Sequence, residues 1–512
     1  MNTRQAAALT AGSDGIPVRT DVLVVGLGVT GAGVALDAAA RWLDVVAVDA
    51  FDVAWGTSRF SSKLVHGGLR YLAKGQLGVA HESAVERGIL MEVTAPHLVR
   101  ALPMVIPLTA DVTRAQAWLA RRGVGAGDLL RRLARTRRET LPRPRRIGAT
   151  ETRALAPVAR HDVRGGILSW DGQLEDDVRL VLDIARTAAS LGAHVHTHTR
   201  ALEVTGTGAL LRDELTGAER RIEARVVINA TGVWADQLVE GISLKPSRGT
   251  HLVVRKESLP GVRCAVMAPV PGASNRFVFA LPQPDGTFYV GLTDEPVSGA
   301  VPDVPEPPEE DIEFLLSVIG RALEHPLTRD DVVGAYAGLR PLLDSGGSTA
   351  DLSRRHAVLV SGAGVVTIVG GKLTTYRRMA EDALDKALRL ARVEAGPCRT
   401  RRLPLLGAGT RDELAGVDAP ARLVRRFGTE APLLVANAVA HGLTREEALA
   451  PVSPTIPATL AELLFGVTHE GAADVADLLD RRTRIGLVPA DRVVAEPLAR
   501  RALAVARTPT LS

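Results

Sequence analysis

Residues 21–31 read Asp-Val-Leu-Val-Val-Gly-Leu-Gly-Val-Thr-Gly. Asp21 to Val25 reads as a parallel strand buried on both faces, on the strength of its unbroken apolar run. Three glycines follow at once. Gly26 permits a tight turn, Gly28 lets the backbone approach a pyrophosphate, and Gly31 lets helix and strand pack closely. Ala32 to Trp42 is a helix of small residues, whose N-terminus offers unpaired N–H groups and a partial positive charge to phosphate. Val45 to Val48 is the second strand, and Asp49 stands at its end, where a carboxylate accepts hydrogen bonds from ribose hydroxyls. The unit predicts a Rossmann-like dinucleotide site. Taken alone it does not separate FAD from NAD.

Working outward, Ala224 to Ala230 reads as another strand of the same layer, closed by Thr231-Gly232. Ala357 to Ser361 is a further strand, followed by a glycine-rich stretch, Gly362 to Gly371, and a helix from about Thr374 to Leu390. Residues 241–349 differ. His251 to Arg255 is strand-like, and Phe277–Leu281 and Thr287–Leu292 flank Pro284-Asp285-Gly286, a hairpin signal. A Pro/Glu linker, Pro302 to Pro308, leads into a helix from Glu309 to Leu323. This pattern predicts an antiparallel sheet inserted into the parallel one. From Cys398 onward the composition turns to Leu/Ala/Arg helices. The expected class is α/β: a tail over 1–20, a discontinuous dinucleotide domain over 21–240 plus 350–396, a substrate domain over 241–349, and a helical domain over 397–512.

The chain has 512 residues, 46% apolar and 23% charged, which fits a globular protein of about three units. Two distant cysteines, Cys264 and Cys398, exclude a disulfide scaffold and a Cys-based zinc site, and a reduced cytoplasmic setting is the expectation. His194, His196 and His198 alternate like a metal stripe, but strand alternation on an exposed face explains them, and no metal is expected. The net charge of +4 is uneven. Segment 114–146 holds eleven arginines against Asp128 and Glu139, a local +9, leaving the rest at −5. Without interleaved aromatics it does not read as a nucleic-acid module. A solvated helical pair and attraction to anionic lipid headgroups both stay open. No uncharged apolar run reaches the roughly 18 residues of a membrane span. Residues 1–20 read as a disordered tail rather than a signal segment.

Three more stretches carry chemistry. GTSRFSSKLVHGGLRYL at 56–72 is dense in small polar residues and then in Lys63, His66 and Arg70. It reads either as a helix cap at Thr57 or Ser58 with a loop, or as a segment laid along a bound flavin. NATGVWAD at 229–236 ends a strand with Gly232, where backbone passes close to a cofactor. In VGGKLTTYR at 369–377, Gly370 and Gly371 open a helix beside Lys372. A flavin edge that gains negative charge on reduction would be stabilised by that helix end.

The order GxGxxG, GTS…SSKLxHGGLRYL, NATGxWAD, GLRPLL and GGKLTTYR resembles the FAD-dependent glycerol-3-phosphate dehydrogenase family. ELLFGVTHE at 462–470 and RRTRIG at 481–486 resemble its helical end domain, so the likeness spans about residues 20–490. It implies a Rossmann-like FAD-binding domain of the DAO type, with FAD as cofactor. It also implies oxidation of sn-glycerol 3-phosphate to dihydroxyacetone phosphate, electrons passing to a membrane quinone, and attachment to the inner membrane face. Self-association into a homodimer stays open. By the same likeness Arg340 and Arg354 match substrate arginines, His251 and Lys372 line the same pocket, and His66 lies beside the flavin. Gly26, Gly28, Thr30, Gly31, Asp49, Thr57, Ser61, Ser62, Lys63, Ala230, Gly232, Gly370, Lys372, Leu373 and Thr374 match the cofactor-binding positions.

The chain departs from the family at one place. Phe60 stands where an arginine is usual, and Arg59 precedes it, so Arg59 becomes the phosphate ligand to check. Plainer alternatives exist for several residues: a supporting hydrogen bonder for His66, a structural histidine for His251, a surface ion pair for Arg354 and a solvent-facing Lys63. His251 or His66 would take the C2 hydroxyl proton, with His251 favoured. An oxidase passing electrons to O₂, or a non-catalytic FAD protein docked on membrane, are the competing functions. The family's oxidases tend to carry a mid-chain insertion that this chain lacks.

Overall fold

The structure, a computed structural model, describes residues 8–68, 76–110, 112–273, 276–344 and 356–507. Among them nine strands form a first sheet. Its parallel centre sets Arg19–Val25 between Val45–Val48 and the long strand Glu219–Asn229, with His194–Thr197 outside Val45–Val48. Val22, Leu23 and Val24 have no exposed surface, because helices or loops cover both faces. Val366–Val369 runs parallel to the end of Glu219–Asn229, and Ala357–Val360 folds back on it antiparallel. The parallel strand therefore lies inside the stretch that reads as glycine-rich turn, and the strand at 357–360 is its outer neighbour.

Helix Val29–Ala40 is built of small residues because it is clamped between two helices, Asp177–Ser190 and Tyr376–Ala391. A Cβ on Gly33 would lie 2.9 Å from the Tyr376 ring. Close packing thus explains the composition as much as phosphate binding does.

Ten strands form the second sheet. Ser247–Arg255 pairs on one side with Val332–Arg340 and on the other with Thr287–Gly291; Phe277–Pro282, Ala265–Pro269, Val99–Pro107 and Gly166–Leu174 follow in order. Helix Glu309–Gly320 covers one face over Val254, Val266, Val278 and Val290. The inserted sheet is thus larger than expected. Leu64–Val65, Val99–Pro107, Arg145–Ile147 and Gly166–Leu174 come from the segment assigned to the dinucleotide domain. No tight turn joins these strands to their partners, so their pairing leaves no local signal.

The tail also differs. Thr10–Ala11 pairs with His194–Thr197, and Leu9 and Ile16 are buried. A sheet edge with open N–H and C=O groups recruits this short strand, so residues 8–20 are ordered; residues 1–7 lie outside the described residues. The basic segment forms one helix, Arg114–Leu133, and then a strand rather than a helical pair. His196 and His198 are not on an open face: His196 Nδ1 meets the Gly12 carbonyl and His198 Nε2 meets Asp477. Among the described residues no helix is long and apolar enough to cross a membrane.

Helices from Arg411 to Ala506 pack around Leu463, Leu464 and Phe465. Buried charge joins this unit to the first sheet's loops. Arg481 Nε and Arg482 Nη1 both lie 2.5 Å from Asp52 Oδ2.

Candidate active site

One cleft of about 830 Å³ runs from the Gly26–Gly28 turn to the second sheet. At its first end Gly26 has φ +102°, a left-handed backbone that favours glycine, and a Cβ there would meet the Ala230 carbonyl at 2.6 Å. Gly31 sits behind the turn, where a Cβ would come within 1.8 Å of the Gly26 carbonyl oxygen. Gly28, Thr30, Asp49, Ala230 and Gly232 line the wall. The Val29 N–H at the helix start donates to Ser58 Oγ at 2.9 Å, so Ser58 caps the first helix from a distant loop. Asp49 accepts the N–H groups of Leu27 (2.6 Å) and Phe51 (3.0 Å). Burial raises its carboxyl to about 6 despite these bonds. Arg200, 5.0 Å above the Phe51 ring, and Leu202 complete this end.

Midway, Thr57, Ser61, Ser62, His66, Gly370, Lys372, Leu373 and Thr374 line the cleft. Gly370 and Gly371 have φ near +79° and +77° and lead into a short turn before helix Tyr376–Ala391. Lys372 Nζ donates to Ser83 Oγ at 2.6 Å. The loop of His66 is held from behind, since Asp171 accepts the Gly67 N–H at 3.2 Å and pairs with Arg87 at 2.7 Å.

At the far end, on the paired strands Ser247–Arg255 and Val332–Arg340, His251 stands opposite Tyr336 and Ser247 opposite Arg340. His251 Nε2 lies 2.8 Å from Ser62 Oγ, and its ring stacks on Tyr336 at 4.9 Å. Burial, then the charges of Lys63, Arg340 and Arg484, hold its imidazole well below the usual histidine range, so it is neutral at pH 7. Arg340 is oriented by Asp294 Oδ1 (3.1 Å), Ser247 Oγ (3.3 Å) and the Thr293 carbonyl (3.2 Å). Gly249 makes room for it, because a Cβ there would lie 2.3 Å from Nη2.

Two expected ligands lie elsewhere, and a third falls outside the described residues. Lys63 is behind the wall, where Nζ donates to Asp177 and to the Arg59 and Ser61 carbonyls. Burial lowers its amine to about 7. Lys63 therefore ties the 59–63 loop together rather than facing a cofactor. Arg59 turns away from the cleft, with its guanidinium 4.8 Å from the Trp55 ring and 4.4 Å from the Phe60 ring. Phe60 takes the cleft-facing position. Arg354 lies outside the described residues. The sequence reading missed Asp171, Arg87, Asp294, Ser247 and Arg200. Each acts on a partner distant in the chain and belongs to no motif, whereas Ser58, one of the two residues read as a helix cap, caps the first helix.

Residues 21–377 match the family described as FAD dependent oxidoreductase. Residues 398–506 match the C-terminal domain of alpha-glycerophosphate oxidase. The chain is 52% identical to glycerol-3-phosphate dehydrogenase 1 of Mycobacterium tuberculosis, covering 96% of this chain and 95% of that protein. It is 34% identical to the mitochondrial glycerol-3-phosphate dehydrogenase SDP6 of Arabidopsis thaliana, over 95% of this chain and 82% of that protein. The fold matches a glycerol-3-phosphate dehydrogenase from Bacillus halodurans complexed with FAD, at a TM-score of 0.71 and 27% identity, over 95% of this chain and 90% of that one. The left-handed glycine turn, the space left where any Cβ would intrude and the helix start beside it fit FAD. With near full-length identity above one half, the chain belongs to the FAD-dependent glycerol-3-phosphate dehydrogenase family.

Proposed function

We propose that the protein oxidises sn-glycerol 3-phosphate to dihydroxyacetone phosphate and passes the electrons to a membrane quinone. The observation that carries this reading is the meeting of Arg340, Lys372, His66 and His251 on one cleft that begins at the dinucleotide turn. Bound FAD supplies the hydride acceptor. Gly26, Gly28 and Thr30 would hold its pyrophosphate at the helix start, and Asp49 would accept hydrogen bonds from its ribose hydroxyls with the lone pairs left after Leu27 and Phe51. Thr57, Ser61, Ser62, Ala230, Gly232, Gly370, Leu373 and Thr374 line the cleft and would flank the rest of it.

Arg340 grips the substrate phosphate in a planar fork, which Asp294 and Ser247 hold in place. Lys372 adds a second cation. His251 takes the C2 hydroxyl proton at Nε2, the nitrogen that Ser62 Oγ positions, and its neutral state at pH 7 suits a base. Phe60 makes the phosphate clamp lighter than the family pattern at that position. Anaerobic addition of glycerol 3-phosphate to the yellow holoprotein should bleach the flavin; an unbleached spectrum rejects the reading.

The likeness of residues 398–506 to an alpha-glycerophosphate oxidase domain favours a second reading, electron transfer to O₂. Stoichiometric peroxide in air would select it over the quinone reading.

The same proposal places the protein in the cytoplasm, peripheral on the inner membrane face. Helix Arg114–Leu133 exposes Trp118, Leu129 and Leu133 to about the same extent, 58%, 57% and 58%, next to exposed Arg122 and Arg132. Positions 118, 122, 129 and 133 share one helical face, an apolar stripe edged with cations. Co-sedimentation with anionic liposomes should fall when Arg122, Arg132, Arg135, Arg137, Arg138 and Arg143 become glutamine. Equal binding by that variant excludes the patch.

A further inference from the structure

The stretch RRTRIG at 481–486 lies in the helical C-terminal unit, and its third arginine reaches the back of the cleft wall. Arg484 is buried. Its Nη1 donates to Asp177 Oδ1 at 2.8 Å, and its Nη2 lies 3.4 Å from the Tyr289 hydroxyl. Asp177 opens helix Asp177–Ser190 and has no exposed surface. Its other oxygen, Oδ2, accepts the Ser61 N–H at 3.0 Å and the Lys63 ammonium. One carboxylate thus receives a donor from the C-terminal unit and two from the loop that carries Ser62. Beside it, Asp176 takes a second arginine of the C-terminal unit, Arg426, at 3.2 Å.

Both peptide groups that flank Ser62 are fixed. The Ser61 carbonyl accepts the Tyr336 hydroxyl at 2.9 Å and Lys63 Nζ at 3.1 Å. The Lys63 N–H donates to Ser61 Oγ at 3.0 Å, and the Lys63 carbonyl accepts the Leu174 N–H at 2.8 Å. Lys63 and Arg484 both have left-handed backbones, φ +56° and +63°, which residues other than glycine hold only where their surroundings fix them. Ser62 Oγ lies 2.8 Å from His251 Nε2, and His251 Nδ1 has no hydrogen-bond partner among the described residues. The imidazole is therefore held by hydrogen bonding to one hydroxyl, and that hydroxyl is held by the backbone at 61–63. Buried ion pairs add little net stability over apolar packing. Here they supply direction, because each donor meets one oxygen of a carboxylate that cannot turn.

We propose that Arg484, Asp177 and Lys63 form a brace through which the C-terminal unit holds Ser62 Oγ against His251 Nε2. The three are positioning residues for removal of the C2 hydroxyl proton. None of them lines the cleft, so their effect travels through Ser62. The inference rests on the reading of His251 as the base.

Stopped-flow bleaching of the holoprotein by glycerol 3-phosphate without air, at pH 8, separates this step from reoxidation. In Arg484→Met the rate constant at saturating substrate should fall by about thirtyfold, the order of loss that a misplaced base brings. The half-saturating concentration should stay within about threefold, because Arg340 and Lys372 are untouched. Ser62→Ala should slow bleaching to a similar extent. Adding Arg484→Met to Ser62→Ala should then change the rate by less than about threefold, since both act through one contact. Equal factors in the two backgrounds, or an unchanged rate in either single variant, overturn the brace. Lys63→Met removes one donor and leaves Arg484 on Asp177, and it carries the same cycle if Arg484→Met does not fold. A crystal structure of the variant reads the geometry without turnover. Ser62 Oγ should be displaced from His251 Nε2, and a contact kept at 2.8 Å overturns the proposal. Absent bleaching in the parent protein rejects the dehydrogenase reading instead, and the crystal structure still decides the brace.

Discussion

At the residue scale, His251 shows how environment holds an imidazole neutral, as the proposed role of base requires. It is 2% exposed, and three nearby cations oppose its protonation. Its folded pKa lies below the unfolded value of about 6.5, so on acidification the unfolded chain takes up the proton first. The stability it contributes is present above pH 6.5 and is lost as pH falls further. The acid limb of kcat/KM for glycerol 3-phosphate should accordingly lie below pH 6.5, measured on the holoenzyme. His251→Asn should reduce kcat at pH 7.5 by roughly a hundredfold or more while the protein stays yellow. Near-normal turnover in that variant removes His251 as the base. Arg340→Lys keeps a charge near Asp294 but loses the fork. A loss of about 2 kcal/mol, or roughly thirtyfold in KM with kcat less affected, is the expected result in steady-state assays.

At the element scale, short glycine turns shape the first end of the cleft. Gly31 is not on the cleft wall, yet a Cβ would overlap the Gly26 carbonyl at 1.8 Å. Gly31→Val should therefore push the first helix from its strand and lower bound flavin by at least tenfold. The ratio of flavin to protein absorbance after purification reads this directly; full occupancy would show that the turn tolerates the side chain. The 59–63 loop teaches the opposite lesson. Arg59 and Phe60 are neighbours, but the loop turns Phe60 inward beside Tyr336 and Arg59 onto Trp55. A family pattern shifted by one residue therefore does not preserve the side chain's role.

Across the whole molecule, the helical C-terminal unit is coupled to the cofactor domain through buried ions. Asp52 receives Arg481 and Arg482, and Arg179 pairs with Asp183 at 2.8 Å and with Glu470. Such pairs add modest net stability, but removing one partner strands a buried charge. Asp52→Ala leaves Arg482 without its principal acceptor and should cost about 3–5 kcal/mol in urea unfolding. An unchanged midpoint and slope would mean that the unit docks through apolar contact instead. Asp52 lies three residues beyond Asp49, so reduced flavin occupancy should accompany the loss.

The strand–turn–helix at 21–49 was legible in the chain because short-range spacing dictates it, and the helical end domain was legible in the Leu/Ala/Arg composition after Cys398. Gly26, Gly28 and Asp49 have to lie within one βαβ unit to serve one dinucleotide. Tertiary structure alone decided that Val99–Pro107 and Gly166–Leu174 belong to the substrate sheet, that residues 8–20 pack, and that Lys63 and Arg59 leave the cleft while Asp294 and Ser247 orient Arg340. Those outcomes depend on pairing and burial between residues far apart in sequence, where no local period or turn records which partner wins.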